Sequence, residues 1–186
     1  MRLFVAIFPP MTVRQGLWAI SAGVPGAKWV APENLHLTLR FIGEVDGATV
    51  NDVMAALSTV KGHSFELQLA GVGQFGDRRQ AHMLWAGARP SEVLMLLHAR
   101  IEAALVRIGL EPERRKFHPH VTLARLRGAP RDRVGRFLAD HGRYESPPFI
   151  ADSFVLCSSH LGRVQADYRV EAEYPLEEAR SKSSSP

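Results

Sequence analysis

Two matching tetrapeptides carry the side chains of this sequence that are best suited to chemistry. Residues His36–Leu39 read His-Leu-Thr-Leu, and residues His120–Leu123 read His-Val-Thr-Leu. Both lie in stretches where apolar and polar residues alternate, which predicts β-strands. Because side chains two positions apart project from the same face of a strand, each tetrapeptide places an imidazole beside a hydroxyl, about 6.5–7 Å apart along the strand.

If the two strands belong to related lobes that face each other, two histidines and two threonines line one groove. This array suits a phosphodiester, because displacement at phosphorus needs a base for the incoming oxygen and an acid for the departing one. Imidazole titrates near pH ~6.5, so one ring can be neutral while the other is protonated. The threonine hydroxyls can donate to the non-bridging oxygens. The pattern therefore predicts acid–base catalysis that needs no metal.

The elements that must position these side chains follow from the hydrophobic pattern. Period-two alternation predicts strands at residues 2–8, 35–41, 64–72, 81–88, 117–125, 149–157 and 164–174. Short connections favour antiparallel pairing, with residues 65–72 turning through Gly73–Gly76 into residues 83–88. We therefore expect an α+β fold.

Helical spacing of apolar residues predicts four helices between these strands. The clearest spans 91–109, and Gly109 ends it; its stripe is Leu94, Leu97, Ile101, Leu105 and Ile108. A second helix carries the stripe Val50, Val53, Met54 and Leu57. Weaker patterns predict helices over 12–20, with Thr12 as N-cap, and over 131–140.

Composition bounds the class of protein. The chain has 186 residues, of which 46% are hydrophobic and 23% charged, so a disordered, collagen-like or coiled-coil protein is excluded. Apolar runs such as Leu3–Phe8 are too short to span a membrane. The lone Cys157 cannot form an intramolecular disulfide, which favours a cytoplasmic address. We expect one domain over 1–176 and a polar, disordered tail over 177–186.

The two motifs and their surroundings resemble the two-histidine phosphoesterase superfamily, and within it the RNA 2′,3′-cyclic phosphodiesterases, also named 2′-5′ RNA ligases. Similarity extends over residues 1–176 and includes 2–7, 28–30, 32–39, 41–45, 71–76, 84–87, 117–125, 156–161 and Tyr168. The resemblance implies a bilobal fold, in which two antiparallel sheets border a central cleft and helices pack outside.

The resemblance also implies a reaction and its residues. Members hydrolyse a terminal 2′,3′-cyclic phosphate on RNA to a 2′-phosphomonoester, with reversible 2′-5′ joining as a weaker activity. On this basis His36 is the general acid and His120 the base, while Thr38 and Thr122 bind the phosphate. Arg125 matches an arginine that closes the second signature in many members.

Five further residues are candidates for substrate binding. Strict alternation places Arg40 on the face of His36 and Thr38, where its guanidinium can meet a phosphate. The same alternation places Arg125 on the face opposite His120, unless a β-bulge intervenes. Phe41 and Tyr168 can each stack on a base or belong to the core. His118 can border the cleft.

The spacing of His118 and His120 is one that zinc sites sometimes use. Since no carboxylate or cysteine clusters beside them in the sequence, we expect no metal and no cofactor.

The expected partner is RNA with a 2′,3′-cyclic phosphate end, such as tRNA fragments, and the excess of 23 Lys and Arg over 19 Asp and Glu favours an anion. No membrane partner is expected, and a monomer is the default.

Two alternatives stay open. The first is a non-catalytic module that binds RNA ends, although arginine or lysine would suit that role better than paired histidines. The second is a phosphodiesterase for another cyclic or 2′-5′ linked nucleotide.

Overall fold

In the residues that the computed structural model describes, 1–76, 80–160 and 167–178, the chain forms ten strands and four α-helices. The strands are β1 Arg2–Ile7, β2 Ala27–Trp29, β3 Leu37–Glu44, β4 Phe65–Leu67, β5 Leu69–Gly76, β6 Ala81–Ala88, β7 His120–Leu126, β8 Phe149–Ala151, β9 Ser153–His160 and β10 Asp167–Pro175. The helices are α1 Met11–Ala19, α2 Gly47–Ser58, α3 Glu92–Arg107 and α4 Arg131–His141.

The main sheet has two antiparallel halves. One half has the order β10-β9-β1-β3, the other has the order β7-β6-β5, and β2 adds to β7. The two halves meet where Leu37 of β3 pairs with Val121 of β7. Strands β4 and β8 form a separate two-stranded sheet. The expected α+β fold with antiparallel sheets in two lobes is confirmed, and the two sheets are continuous at their junction.

The two faces of the main sheet have different roles. On β1, Leu3, Val5 and Ile7 point to the large core beneath the helices, which we call the helix face. Phe4 and Ala6 point the other way, which we call the cleft face, and form a smaller cluster that includes Cys157. Because both faces of β1 are apolar, alternation in the sequence does not mark which residues border the cleft.

The structure corrects the prediction of a turn at Gly73–Gly76. These residues belong to β5, where Gly73 pairs with Trp85 and Gly76 with Ala81. A Cβ atom on Gly73 would lie 2.2 Å from Cζ2 of Trp85, so glycine at this position makes room for the indole ring to lie across the strand.

Other predicted boundaries also shift. The strands expected over 64–72 and 149–157 are each interrupted, because β4 and β8 leave the main sheet to pair with each other. Helix α1 has Pro10, not Thr12, at its N-cap, and Ile108 lies beyond the end of α3 with 38% of its surface exposed. Strand β2 was not predicted.

The folded part of the chain continues past residue 176. Glu177 accepts from Ser64 N and donates to Gly62 O at 2.8 and 2.9 Å, so it is not part of a free tail. The rest of the expected tail, from 179 onward, and the start of the strand expected over 164–174 lie outside the described residues. No described helix is long and apolar enough to cross a membrane.

Candidate active site

The two motifs meet at the junction between the two halves of the sheet. Leu37 and Val121 pair directly, and both side chains are fully buried. Continuing this antiparallel register by one residue each way sets His36 opposite Thr122 and Thr38 opposite His120. Those four side chains alternate with the buried pair and therefore share the cleft face. The two imidazoles are close enough for His120 to lower the pKa of His36.

Each imidazole is anchored in the same way. His36 Nδ1 lies 2.7 Å from Asn34 O, and His120 Nδ1 lies 2.6 Å from His118 O. A carbonyl oxygen only accepts, so Nδ1 carries the hydrogen in both rings. Nε2 is then the nitrogen left to exchange a proton with a substrate. The anchor comes in each case from the residue two positions earlier in the chain.

Aromatic rings enclose His36. Phe4 stacks on the imidazole with ring centroids 4.8 Å apart, Phe8 lies at 5.4 Å, and Tyr168 meets the ring edge-on at 5.2 Å. Removal from water disfavours the charged imidazolium. Burial therefore lowers the pKa of His36 to about 4, although the bond to Asn34 O acts in the opposite direction.

His120 has a more open environment. Phe75 and Trp85 lie 4.9 and 6.1 Å from its ring, and His118 lies at 5.9 Å. Burial also lowers the pKa of His120, the bond to His118 O raises it, and the neighbouring His118 ring lowers it. His118 is exposed at the rim, 4.8 Å from Trp85. Among the described residues, no three His, Cys, Asp or Glu side chains gather to hold a metal ion.

A β-bulge at Leu39 reverses the predicted placement of Arg40. Val5 pairs with Arg40 but the next residue, Ala6, pairs with Thr38, so Leu39 is the extra residue. Arg40 consequently turns to the helix face, where it is 8% exposed. The prediction that Arg40 shares a face with His36 and Thr38 is wrong, whereas its contact with substrate stays a prediction, because Arg40 still lines the cavity that contains Thr38 and His120.

The same bulge brings the next residue, Phe41, onto the cleft face, because it pairs with Phe4. Phe41 is 43% exposed, and the guanidinium of Arg2 lies 5.0 Å from the centre of its ring.

A second β-bulge, in β7, moves Arg125 from the helix face to the cleft face. Ala124 pairs with Leu84 whereas Thr122 pairs with Trp85, so Leu123 is the extra residue here. Leu123 and Ala124 are both fully buried, and Arg125 therefore turns to the same face as Thr122. The sequence alone did not settle whether a β-bulge precedes Arg125, and the structure shows that one does.

Met83 gives independent evidence for this placement. It pairs with Arg125, and its sulfur lies 3.4 Å from Thr122 Oγ1. Met83, Thr122 and Arg125 thus share one face of the sheet.

Two cavities lie near the histidines, and only the second is lined by side chains of the motifs. One, of about 420 Å³, is lined by Phe8 and Tyr168, the neighbours of His36. The other, of about 480 Å³, is lined by Thr38, His120 and the exposed ring of Phe75. The sequence did not single out Phe4, Phe8, Phe75, Trp85 or Met83, since an aromatic or apolar residue in a strand carries no mark of the face it occupies.

A family model, LigT like Phosphoesterase, matches the chain twice, at residues 7–85 and 88–166. The chain belongs to this family. Each matched stretch contains one of the two histidine motifs, as a duplicated lobe requires.

Several curated relatives share the name RNA 2′,3′-cyclic phosphodiesterase. The Thermotoga maritima protein is 33% identical over 82% of this chain and 81% of its own length, and the Aquifex aeolicus protein is 28% identical over 94% and 97%. The Aeropyrum pernix protein is 38% identical over 58% of this chain, and the match spans 61% of that relative. For a Geobacillus stearothermophilus relative the match spans 34% of its length.

Solved structures share the fold over nearly the whole chain. TT0787 of Thermus thermophilus superposes with a TM-score of 0.81 at 27% identity, covering 96% of this chain and 99% of that one. Escherichia coli LigT complexed with 3′-AMP superposes with a TM-score of 0.77 at 27% identity, covering 94% and 97%.

Proposed function

We propose that this protein hydrolyses the 2′,3′-cyclic phosphate at the end of an RNA chain to a 2′-phosphomonoester, by acid–base catalysis between two histidines. The observation that carries the proposal is the meeting of two imidazoles at the Leu37–Val121 pair, each with Nδ1 bound to a carbonyl and Nε2 free for proton exchange. The shared name of the curated relatives supports the choice of substrate.

In the proposed reaction, His120 Nε2 takes a proton from a water molecule, whose oxygen forms a new bond to phosphorus. The bond from phosphorus to the ribose 3′ oxygen breaks, and His36 Nε2 gives that oxygen a proton. His36 must therefore be protonated when the substrate is bound. Because its pKa is about 4 in the free protein, the negative charge of the bound phosphate has to raise that pKa.

Thr38 and Thr122 are the proposed donors to the non-bridging oxygens. Each stands opposite the histidine of the other motif, so both can reach the same phosphate. Thr122 now donates to the sulfur of Met83, a weak acceptor, and exchanging this bond for one to a charged oxygen is favourable. Arg125 lies on the same face two strand positions beyond the bulge and is the proposed cation nearest to Thr122.

Two exposed aromatic rings support RNA binding on the His120 side. Phe41 comes from β3 and Phe75 from β5; they are 43% and 38% exposed and line the same cavity. Arg115 and Lys116 line it too and can meet the phosphate backbone. We infer that a base stacks on these rings, as bases do in single-strand sites. Tyr168 is the proposed aromatic contact on the His36 side.

The cavity lined by Thr38 and His120 leaves room for a second reaction. If the cavity beside His120 holds a nucleoside, its 5′-hydroxyl can take the place of water as the attacking group. The product is then a 2′-5′ linked RNA, and its formation reverses through the same two histidines. We propose this joining as the weaker activity, with tRNA fragments as the first RNA class to test and a cytoplasmic address as expected from the single cysteine.

The test is to incubate the protein with an RNA oligonucleotide ending in a 2′,3′-cyclic phosphate, with a chelator present, and to identify the product by ³¹P NMR. The expected product is the 2′-monoester, formed at the same rate without chelator. A 3′-monoester, or a rate that the chelator abolishes, would contradict the mechanism. Tight binding of the RNA with no product would favour the alternative of a non-catalytic module.

A further inference from the structure

Arg40 makes contacts that the proposed chemistry does not use. Its Nε lies 2.6 Å from Glu102 Oε2 on α3, and its Nη1 lies 3.7 Å from Glu113 Oε2. Nη2 donates to Glu111 O at 2.5 Å, and Nη1 donates to Phe41 O at 2.6 Å. At 8% exposure, a guanidinium is stable only with such partners. Arg40 therefore links β3, α3 and the segment that follows α3.

That segment, residues 111–119, leads from α3 into β7 and is called the approach loop here. Glu113 N donates to Glu102 Oε1 at 2.7 Å, and Arg115 N donates to Glu113 Oε1 at 3.1 Å. Phe117 stacks on His98 of α3 with ring centroids 3.9 Å apart. Within the described residues, no backbone-to-backbone hydrogen bond holds 111–118, so these side-chain contacts fix that part of the loop. At the end of the loop, Ala88 N donates to Pro119 O at 3.1 Å and the His118 ring packs 4.8 Å from Trp85.

The end of the approach loop bears directly on His120. His118, the residue after Phe117, supplies the carbonyl oxygen that accepts from His120 Nδ1 at 2.6 Å. If the loop shifts, this oxygen shifts with it. The hydrogen on the imidazole can then move to Nε2, which would leave the ring unable to accept a proton there.

The segment before His36 forms a short 3-10 turn over Pro32–Asn34, in which Asn34 N donates to Ala31 O at 2.9 Å, and an arginine holds it as well. Arg14 Nη1, on α1, donates to Pro32 O at 3.3 Å and to Glu33 O at 3.2 Å. The next residue, Asn34, supplies the carbonyl that anchors His36 Nδ1. An arginine from outside thus contacts each segment: Arg14 binds the two residues directly before Asn34, and Arg40 binds the start of the approach loop at Glu111 and Glu113.

We propose that Arg40 and Arg14 are positioning residues, one for each histidine: Arg40 fixes the carbonyl that orients His120, and Arg14 fixes the carbonyl that orients His36. Neither guanidinium touches the reacting phosphate in this role. The effect of this positioning role on the reaction rate rests on the proposed function, whereas its effect on the imidazole hydrogen does not.

The test is to record the imidazole ¹⁵N and Nδ1-bound ¹H signals of both histidines by NMR in two variants. In Arg40→Met, the Nδ1–H signal of His120 broadens or is lost, while that of His36 is unchanged. In Arg14→Met, the effect is reversed. Arg89→Met is the matched control, because Arg89 forms a 2.5 Å ion pair with Glu145 outside both segments, and it changes neither signal.

Two further variants address the risk that Arg40→Met fails to fold because Glu102 is left buried without its partner. The double variant Arg40→Met, Glu102→Leu replaces the pair by apolar side chains. Glu113→Gln weakens the hold on the loop and leaves the Arg40–Glu102 pair intact. Both change the His120 signal and spare the His36 signal.

Kinetics give the second readout. A misplaced catalytic group costs up to about a hundredfold in rate, so we expect kcat of Arg40→Met to fall about tenfold to a hundredfold, with partial rescue in Arg40→Lys. The proposal is overturned if both histidine signals stay unchanged in Arg40→Met and Glu113→Gln, or if both signals change alike, as general loosening of the fold would cause. If the protein proves to have another substrate, the NMR result still decides the positioning role.

Discussion

The two histidine sites share a sequence motif and differ in what surrounds it. Both imidazoles have Nδ1 bound to the carbonyl two residues earlier, and both stand opposite the threonine of the other motif. His36 is enclosed by Phe4, Phe8 and Tyr168. His120 lies in a more open environment, beside the exposed rings of Phe75 and His118 and beside Trp85. Two duplicated lobes can thus orient their histidines in the same way and still give the two imidazoles different affinities for a proton.

This difference bears on which histidine is protonated. The pKa of His36 is lowered to about 4, and that of His120 is also lowered. In the free protein both rings are therefore neutral near pH 7. The proposed acid, His36, gains its proton when the anionic phosphate binds, because the new charge lies against Nε2. In the proposed mechanism, substrate binding is therefore coupled to the uptake of a proton by His36.

The largest effect is expected from removing either imidazole. His36→Gln and His120→Gln should each reduce kcat with the cyclic phosphate by about 10²- to 10⁴-fold, since both proton transfers belong to one displacement. The measurement is single-turnover hydrolysis, with circular dichroism to verify the fold. Nearly full activity in either variant would contradict a shared role for the two lobes.

The next largest effect is expected in the pH dependence of the free energy of unfolding, to which the two histidine sites contribute unequally. Burial disfavours the charged form of His36, whose pKa is about 4 in the folded chain and ~6.5 when unfolded. The unfolded chain then binds more protons between these values, so the free energy of unfolding falls as the pH drops from 6.5 toward 4. The loss from His36 is roughly 3 kcal/mol.

Denaturant unfolding of the wild type and of His36→Gln across that range measures this loss. The variant should lose most of the slope, and His120→Gln should lose less of it. Equal slopes in the wild type and His36→Gln would show that the two sites do not differ in this way.

The threonines should be nearly equivalent. Thr38→Val and Thr122→Val keep the side-chain shape and remove one donor to the phosphate, which is worth about 1.5–3 kcal/mol when the partner is charged. Each should lower kcat/KM by about tenfold to a hundredfold. A loss confined to one variant would place the phosphate against one motif rather than between both.

The smallest effect is expected from replacing the aromatic residues that surround the two histidines. Tyr168→Leu opens one side of the His36 ring to water and should raise its pKa, while Phe75→Leu does the same for His120 to a smaller extent. NMR titration of the ring C–H signals measures both values. Trp18→Leu is the control, since Trp18 is an exposed aromatic residue on α1 that lines neither cavity described here.

Sequence reasoning predicted the parts of the site that repeat. The paired His-x-Thr motifs, their strands and the family all follow from residues that are visible in the chain. The face of each neighbouring arginine does not, because the bulges at Leu39 and Leu123 exchange the positions that alternation assigns to Arg40 and Arg125. Both bulges occur at leucines, which give no local sign of an irregular strand.

The aromatic residues around the two histidines could not be predicted, for a different reason. Phe4 and Phe8 belong to a run that is apolar on both faces, so the pattern does not separate a core residue from one that contacts His36. The sequence predicts a turn at Gly73, because glycine marks turns more often than it marks room for an aromatic ring. In both cases the deciding contact comes from a residue distant in sequence.

The central claim is that the two histidines act on one phosphorus atom, one as acid and one as base. A cyclic phosphate RNA in which sulfur replaces the 3′ bridging oxygen tests it most directly, because a departing thiolate needs no proton. The account predicts that His36→Gln regains most of the wild-type rate with this substrate and that His120→Gln does not. An equal response of the two variants, whether rescue of both or of neither, would contradict it.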